Sequence, residues 1–306
     1  MLSRFLAFGL SLLLVAQARG QEYWLVSTRD SPQVLGSEPF LHAYQLDSRG
    51  CMSERSIADI QGRAGTRPVI VLIHGSYFTA RMAIRDGLRI RADLIAGGAI
   101  AADAIVVAFD WPSELLYANL YRDANDKARR AFVAGYHLAR FLHGFPDGSR
   151  ISLVSHSHGG LVALSALQLL AGGNLDNGYE ATQLPGIAPT LRLRAVVIAS
   201  ASDRHWLGYG EPFNRSLEAC EALLCLYNPL DPILVVQPYG RYSDGERALG
   251  KCGLDATERA RLGELRGRYC QQNIARSLGP RHTFHGTTAN PRIVPSIAAY
   301  TWAGSN

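Results

Sequence analysis

The segment Ser155-His156-Ser157-His158-Gly159-Gly160 carries the most reactive combination of residue types in this 306-residue chain. A serine hydroxyl is a poor nucleophile until an imidazole can take its proton, so it must stand exposed on a sharp turn within reach of a base. The apolar run 151–154 before it and the helix-forming run 161–171 after it place Ser157 on such a turn, between a buried strand and a helix. The turn packs strand against helix and needs small residues two before and two after the serine. Gly159 fits, and Ser155 stands where glycine is usual. The competing reading is an ordinary Ser/Gly-rich connecting loop. His156 and His158 flank the serine and read as walls of the site, not as the base.

Attack on a carbonyl builds negative charge on its oxygen, which preorganised N–H donors must hold. The amide of His158 is one candidate donor, and the amide of Ser76, in the loop His74-Gly75-Ser76-Tyr77, is the other. His74 reads equally as a residue that fixes the loop by hydrogen bonding. On a turn of this kind the acid and then the base follow the serine along the chain. Asp231, in Asn228-Pro229-Leu230-Asp231-Pro232, is the preferred acid, with Asp203 in reserve; a turn-forming aspartate between prolines is the plainer alternative. Only His282 and His285 lie beyond Asp231. His282, in Gly279-Pro280-Arg281-His282, is preferred as the base, with His285 as the alternative.

These side chains need a scaffold, and short apolar runs alternating with longer amphipathic stretches supply one. Strands are predicted at 23–28, 40–46, 69–73, 105–109, 151–154, 195–199 and 223–227, with a weak final strand at 269–274. Helices are predicted at 80–95, 128–145 and 161–171. The second shows apolar residues at Ala134, Leu138, Phe141, Leu142 and Phe145, the stripe of a helix lying on a sheet. Alternation with short connections implies right-handed crossovers and a largely parallel, doubly wound α/β sheet with helices on both faces and an antiparallel start. Residues 21–306 read as one domain, with 204–220 and 240–270 as candidate lid segments.

Arg4, an apolar run from 5 to 15 and then the small residues Ala16 and Ala18 around Gln17 read as a secretory signal peptide over 1–20, which implies a secreted or periplasmic protein. The run is shorter than the ~20 apolar residues of a spanning helix, so no stable membrane span is expected after cleavage. Arg4 and Arg19 supply two of the net +5 charges, leaving +3 on a mature chain. The basic residues at 259–268 alternate with Glu258 and Glu264, as on a solvated helix face, and no nucleic acid partner is implied. Nor is a basic amphipathic helix of the membrane-surface type evident. Five cysteines in an exported chain suggest disulfides among Cys51, Cys220, Cys252 and Cys270, with Cys225 packing unpaired inside an apolar run. No glycine-rich phosphate loop is present, and His156 with His158 is not a helical zinc pair, so neither cofactor nor metal is expected.

The segments Ile73-His74-Gly75, Phe109-Asp110-Trp111-Pro112-Ser113, Tyr121-Arg122-Asp123 and Ser155-His156-Ser157-His158-Gly159 together resemble the α/β-hydrolase superfamily, and within it an esterase/lipase-like bacterial family of the DUF900 type. The likeness covers residues 22–235 in ordered motifs. Family members commonly have methionine where this chain has His158. The resemblance implies an α/β-hydrolase fold and a hydrolytic site. His74, Tyr77 and Trp111 are the candidate substrate-pocket residues, Trp111 because it stands at the carboxyl end of a strand; core packing is an equal reading for Trp111. The expected activity is carboxyl-ester or lipid-ester hydrolysis on small-molecule or lipid substrates. Thioesterase, acyltransferase or peptidase chemistry on the same triad competes with it, as does a catalytically silent binding protein.

Overall fold

In chain order the strands are β1 (Glu22–Ser27), β2 (His42–Leu46), β3 (Met52–Arg55), β4 (Val69–Ile73), β5 (Ile105–Asp110), β6 (Arg150–His156), β7 (Leu175–Asp176), β8 (Ala181–Thr182), β9 (Arg192–Ile198), β10 (Ala222–Tyr227) and β11 (Tyr269–Asn273). The computed structural model describes residues 22–47, 51–65, 67–101, 103–176, 180–235 and 248–302; the predicted leader at 1–20 lies outside them. All but β7 and β8 join one nine-stranded sheet in the order β11-β10-β9-β6-β4-β5-β1-β2-β3. Every neighbouring pair from β11 to β1 is parallel, while β2 and β3 add antiparallel strands at one edge. This is the doubly wound α/β sheet that the alternation of runs predicts.

β4 and β5 are buried at every position, which is why the runs 69–73 and 105–109 read as continuously apolar. Successive side chains leave on opposite faces. Val69, Val71 and Ile73 enter one apolar layer, and Ile70 and Leu72 enter the other. The first layer is closed by α3 (Leu120–His143) and α4 (His158–Leu170), and the second by α2 (Ala80–Ala96) and α9 (Val294–Ala299). α4 is apolar around its circumference because it lies buried between the sheet and α3. Gly135 of α3 permits the close approach, since a Cβ there would collide with Ser165.

The chain departs from β4 to β5 and then returns to place β6 on the other flank of β4. In parallel sheets the crevice at such a reversal, beyond the carboxyl ends of the strands, is where ligands bind. The loops that leave β4 and β6 carry Ser76 and Ser157.

Several elements differ from the sequence reading. α3 starts at Leu120, not near 128, because the Asn119 side chain accepts from the Arg122 amide and its first turns bury a polar pair, Asp123 with Lys127, instead of an apolar stripe. The solvent-exposed β3 and the short helix α1 (Ile57–Arg63) carry too little apolar pattern to be seen. The candidate lid at 204–220 packs inward: Trp206 and Phe213 cluster with Phe132 of α3 at ring separations of 6.0 and 5.6 Å. Of the candidate lid at 240–270, residues 240–247 lie outside the described set. The remainder folds into α5 (Leu249–Cys252), α6 (Ala256–Arg261), a 3₁₀ turn and the start of β11. Two short helices, α7 (Ala275–Leu278) and α8 (Phe284–Thr288), complete the chain before α9.

Among the described residues no disulfide forms, against the expectation of pairs. The topology explains much of this, since Cys51 precedes β3 at one edge of the sheet while Cys270 lies in β11 at the other. Cys225 is buried in β10, and burial pushes its thiol and that of Cys220 up to about 12. No helix among the described residues is long and apolar enough to cross a membrane.

Gly159 fixes the crossing of α4 over β4, because a Cβ there would lie 2.5 Å from the Ile73 carbonyl oxygen and 2.6 Å from that of His74. Backbone cannot yield as a side-chain tip can. Gly159→Ala is therefore expected to destabilise the protein by about 3 kcal/mol, the upper end of ordinary overpacking costs. Chemical denaturation of the purified variant measures this.

Candidate functional site

Ser157 joins β6 to α4 with φ 56° and ψ −125°, a left-handed conformation that a non-glycine residue adopts only when its surroundings impose it. Those surroundings are specific. The Ser157 amide donates to the Ile198 carbonyl at 3.0 Å, and its own carbonyl accepts from Gly160 at 2.9 Å and Ala201 at 3.1 Å. Ser155, in place of the usual glycine, is accommodated because it is fully buried and donates to the Val196 carbonyl at 3.3 Å. Held in this way, Ser157 lines a largely apolar cavity of about 700 Å³ with Ser76, Tyr77, Phe78, Ile233, His282 and Phe284 among its walls.

The loop after β10 presents Asp231 and the loop after α7 presents His282. Asp231 is fully buried; one carboxylate oxygen accepts from the amides of Ile233 at 2.9 Å and Leu234 at 3.3 Å, while the other lies 2.6 Å from His282 Nδ1. With Nδ1–H donating to the carboxylate, Nε2 is the basic nitrogen of the ring. Asn228 ties the two loops together: its Nδ2 donates to the carbonyls of Gly279 at 2.8 Å and Arg281 at 3.3 Å, and its Oδ1 accepts from Leu230 at 3.1 Å. Sequence inspection passes over this asparagine, although its place in Asn228-Pro229-Leu230-Asp231 is the signal that could have found it.

The alternatives are engaged elsewhere. Asp203 caps the 3₁₀ turn at Arg204–Leu207, accepting from the His205 amide at 3.0 Å. His285 lines the cavity but sits 3.4 Å from Asp93. Serine, Asp231 and His282 are thus brought together, and Asp203 is not.

Close packing also joins the Ser76 loop to Ser157. A Cβ on Gly75 would lie 2.9 Å from Ser157 Cβ, so glycine lets the loop pass directly beside the serine. Ser76 Oγ is 2.8 Å from His158 Nδ1. Among the described residues no acceptor takes the backbone N–H of Ser76 or of His158, and both residues line the cavity.

His74 and Trp111 do not reach the cavity wall, contrary to the pocket roles assigned to them. His74 is stacked between Phe78 at 4.8 Å and Trp111 at 5.8 Å, bonds the Gly75 carbonyl through Nδ1 at 2.8 Å, and contacts Asp110 through Nε2 at 3.2 Å. Fully buried Trp111 donates its indole N–H to the His74 carbonyl at 2.9 Å. Both therefore brace the loop from behind. Burial works to raise the Asp110 carboxyl pKa, but hydrogen bonds from His74 and Arg29 outweigh it and hold the group below its ordinary value. Tyr77 does line the cavity, at φ 69°, with its ring over the Lys127 ammonium at 3.9 Å. Burial pushes Lys127 down to about 8, and its partner Asp123 also accepts from the Leu116 and Tyr117 amides.

His156 is stacked on Phe284 and lies 4.5 Å from His282 between ring centroids. Burial holds its imidazole well below the ordinary range, with the nearby His282 adding to the effect. It is a neutral wall beside His282.

Residues 70–295 match the model of the alpha/beta hydrolase family. Among solved structures, the chain is similar to a bifunctional GH43-CE protein of Bacteroides eggerthii, at 13% identity and a TM-score of 0.40, covering 76% of this chain and 34% of that one. It is also similar to lipase B of Aspergillus fumigatus, at 15% identity and a TM-score of 0.39, covering 76% of this chain and 52% of that one. The chain thus spans about a third and about half the length of these two proteins. No curated protein matches it.

Proposed function

As the chain belongs to the alpha/beta hydrolase family, we propose that it is an exported serine hydrolase that cleaves carboxyl esters, lipid esters among them, through Ser157, His282 and Asp231. The observation that carries this reading is the 2.6 Å contact between Asp231 and His282 Nδ1 at the edge of the cavity that Ser157 lines. His282 Nε2 takes the Ser157 proton as Oγ attacks the carbonyl carbon, and the amides of Ser76 and His158 hold the oxyanion. The imidazolium, stabilised by Asp231, returns the proton to the departing alkoxide. Water then attacks the acyl-enzyme with His282 again as base, and Ser157 is regenerated. An apolar wall of Phe78, Ile90, Ile233 and Phe284 suits an acyl chain better than a peptide. Export rests on the leader-like run at 1–20, and the narrower affinity with the DUF900 group on the quoted motifs.

Hydrolysis of short-chain nitrophenyl esters by single variants tests the assignment of the base. His282→Ala is expected to lower kcat by about 10⁴-fold or more, as loss of a triad member does. His285→Ala is expected to stay within about threefold of the parent, because its ring faces Asp93 at 3.4 Å and not Asp231. The reverse pattern would transfer the role to His285.

A further inference from the structure

The contact between Ser76 and His158 has a direction, and the direction matters for the reaction. His158 is buried, and its Nε2 has no hydrogen-bond partner among the described residues. Burial, with the charges of Lys127 and His282 adding to it, pushes its imidazole down to about 3, so the ring is neutral at ordinary pH. A neutral imidazole carries one N–H and one lone pair. If the proton sat on Nε2, a buried N–H would be left without an acceptor among the described residues. If it sits on Nδ1, the N–H meets an oxygen and only a lone pair goes without a partner, which is the less costly arrangement. Nδ1–H then donates to Ser76 Oγ across the 2.8 Å contact.

This tautomer decides what the Ser76 hydroxyl does. With its oxygen occupied as an acceptor, its own proton must go to another acceptor, and Ser76 lines the cavity with Ser157. A hydroxyl that accepts one hydrogen bond is polarised into a better donor. Gly75 brings the same loop within contact distance of Ser157, so the hydroxyl is carried on the segment that already supplies a backbone donor.

We propose that the Ser76 hydroxyl is a third donor to the oxyanion, oriented by the Nδ1–H of His158. Ser76 is then a catalytic residue through its side chain as well as its amide, and the His158 ring is a positioning residue. The proposal rests on the reading of Ser157 as the nucleophile.

Steady-state hydrolysis of a nitrophenyl ester by Ser76→Ala and Ser76→Thr, together with ¹⁵N NMR of the His158 ring in the parent protein, tests it. Ser76→Ala is expected to lower kcat by about 10²-fold with little change in KM, the effect of removing one oxyanion donor. Ser76→Thr, which keeps the hydroxyl, is expected to recover most of that loss. The NMR spectrum should show the proton on Nδ1. A Ser76→Ala enzyme that turns over as fast as the parent, a loss that Ser76→Thr does not recover, or a proton on Nε2 would each overturn the proposal. Failure of the underlying hydrolase reading looks different: the parent itself would neither turn over the ester nor react at Ser157 with a fluorophosphonate.

Discussion

Ser157→Ala is expected to reduce turnover of a short-chain ester by about 10⁶-fold, the loss seen when a triad nucleophile is deleted, with KM little altered. Only one oxygen atom is removed. The residue keeps its backbone bonds to Ile198, Gly160 and Ala201, which fix the φ 56° turn regardless of the side chain. Folding stability should therefore match the parent, since alanine keeps the same backbone turn and its strain. Residual activity above the uncatalysed rate is expected from the remaining donors of Ser76 and His158, which are worth about 10³-fold or more in comparable sites. The comparison needs steady-state kinetics and a denaturation curve on the same preparation.

Asp231→Asn is expected to lower kcat by about 10⁴-fold while leaving the structure intact. Asparagine retains an oxygen for the Ile233 and Leu234 amides, so the turn is preserved. Toward His282 it presents an N–H where the carboxylate accepted one. The ring must then place its own proton on Nε2, and a protonated Nε2 cannot take the proton of Ser157. The matching substitution at Asp203 separates charge from position. Asp203→Asn keeps an oxygen able to cap the 3₁₀ turn at the His205 amide and is expected to leave kcat within about threefold, since asparagine caps as well as aspartate. A loss at Asp203 comparable to that at Asp231 would contradict the pairing.

The fold was legible where one physical demand dominated the residue choice. A doubly covered strand such as β4 requires aliphatic residues throughout, and the turn at Ser157 requires Gly159 because two carbonyl oxygens lie beneath it. Strand order was not legible, because parallel pairing depends on crossovers that leave no mark on any one residue. The first turns of α3 stayed hidden for a local reason: Asp123 and Lys127 neutralise each other in a buried pair, so the positions nearest Tyr77 carry charge where a pattern reading requires apolar side chains.

The site divides in the same way. The turn at Ser157 is local in sequence and could be read from six residues. The partnership of Asp231 with His282 spans 51 positions, and only the geometry separates it from Asp203 and His285. Trp111 shows the limit of reading a residue by its place at a strand end. It does leave the carboxyl end of β5, but its indole turns back to the His74 carbonyl and braces the loop without touching the cavity. Asn228 shows the converse, a residue with no reactive chemistry of its own whose amide fastens the acid loop to the base loop.

The assignment of Ser157 as an activated nucleophile is tested most directly by treating the purified protein with a fluorophosphonate probe and mapping the adduct by peptide mass spectrometry. The account predicts one adduct, on Ser157, absent from Ser157→Ala and strongly slowed in His282→Ala. No adduct on the parent, or an adduct that persists at another residue when Ser157 is replaced, would contradict it.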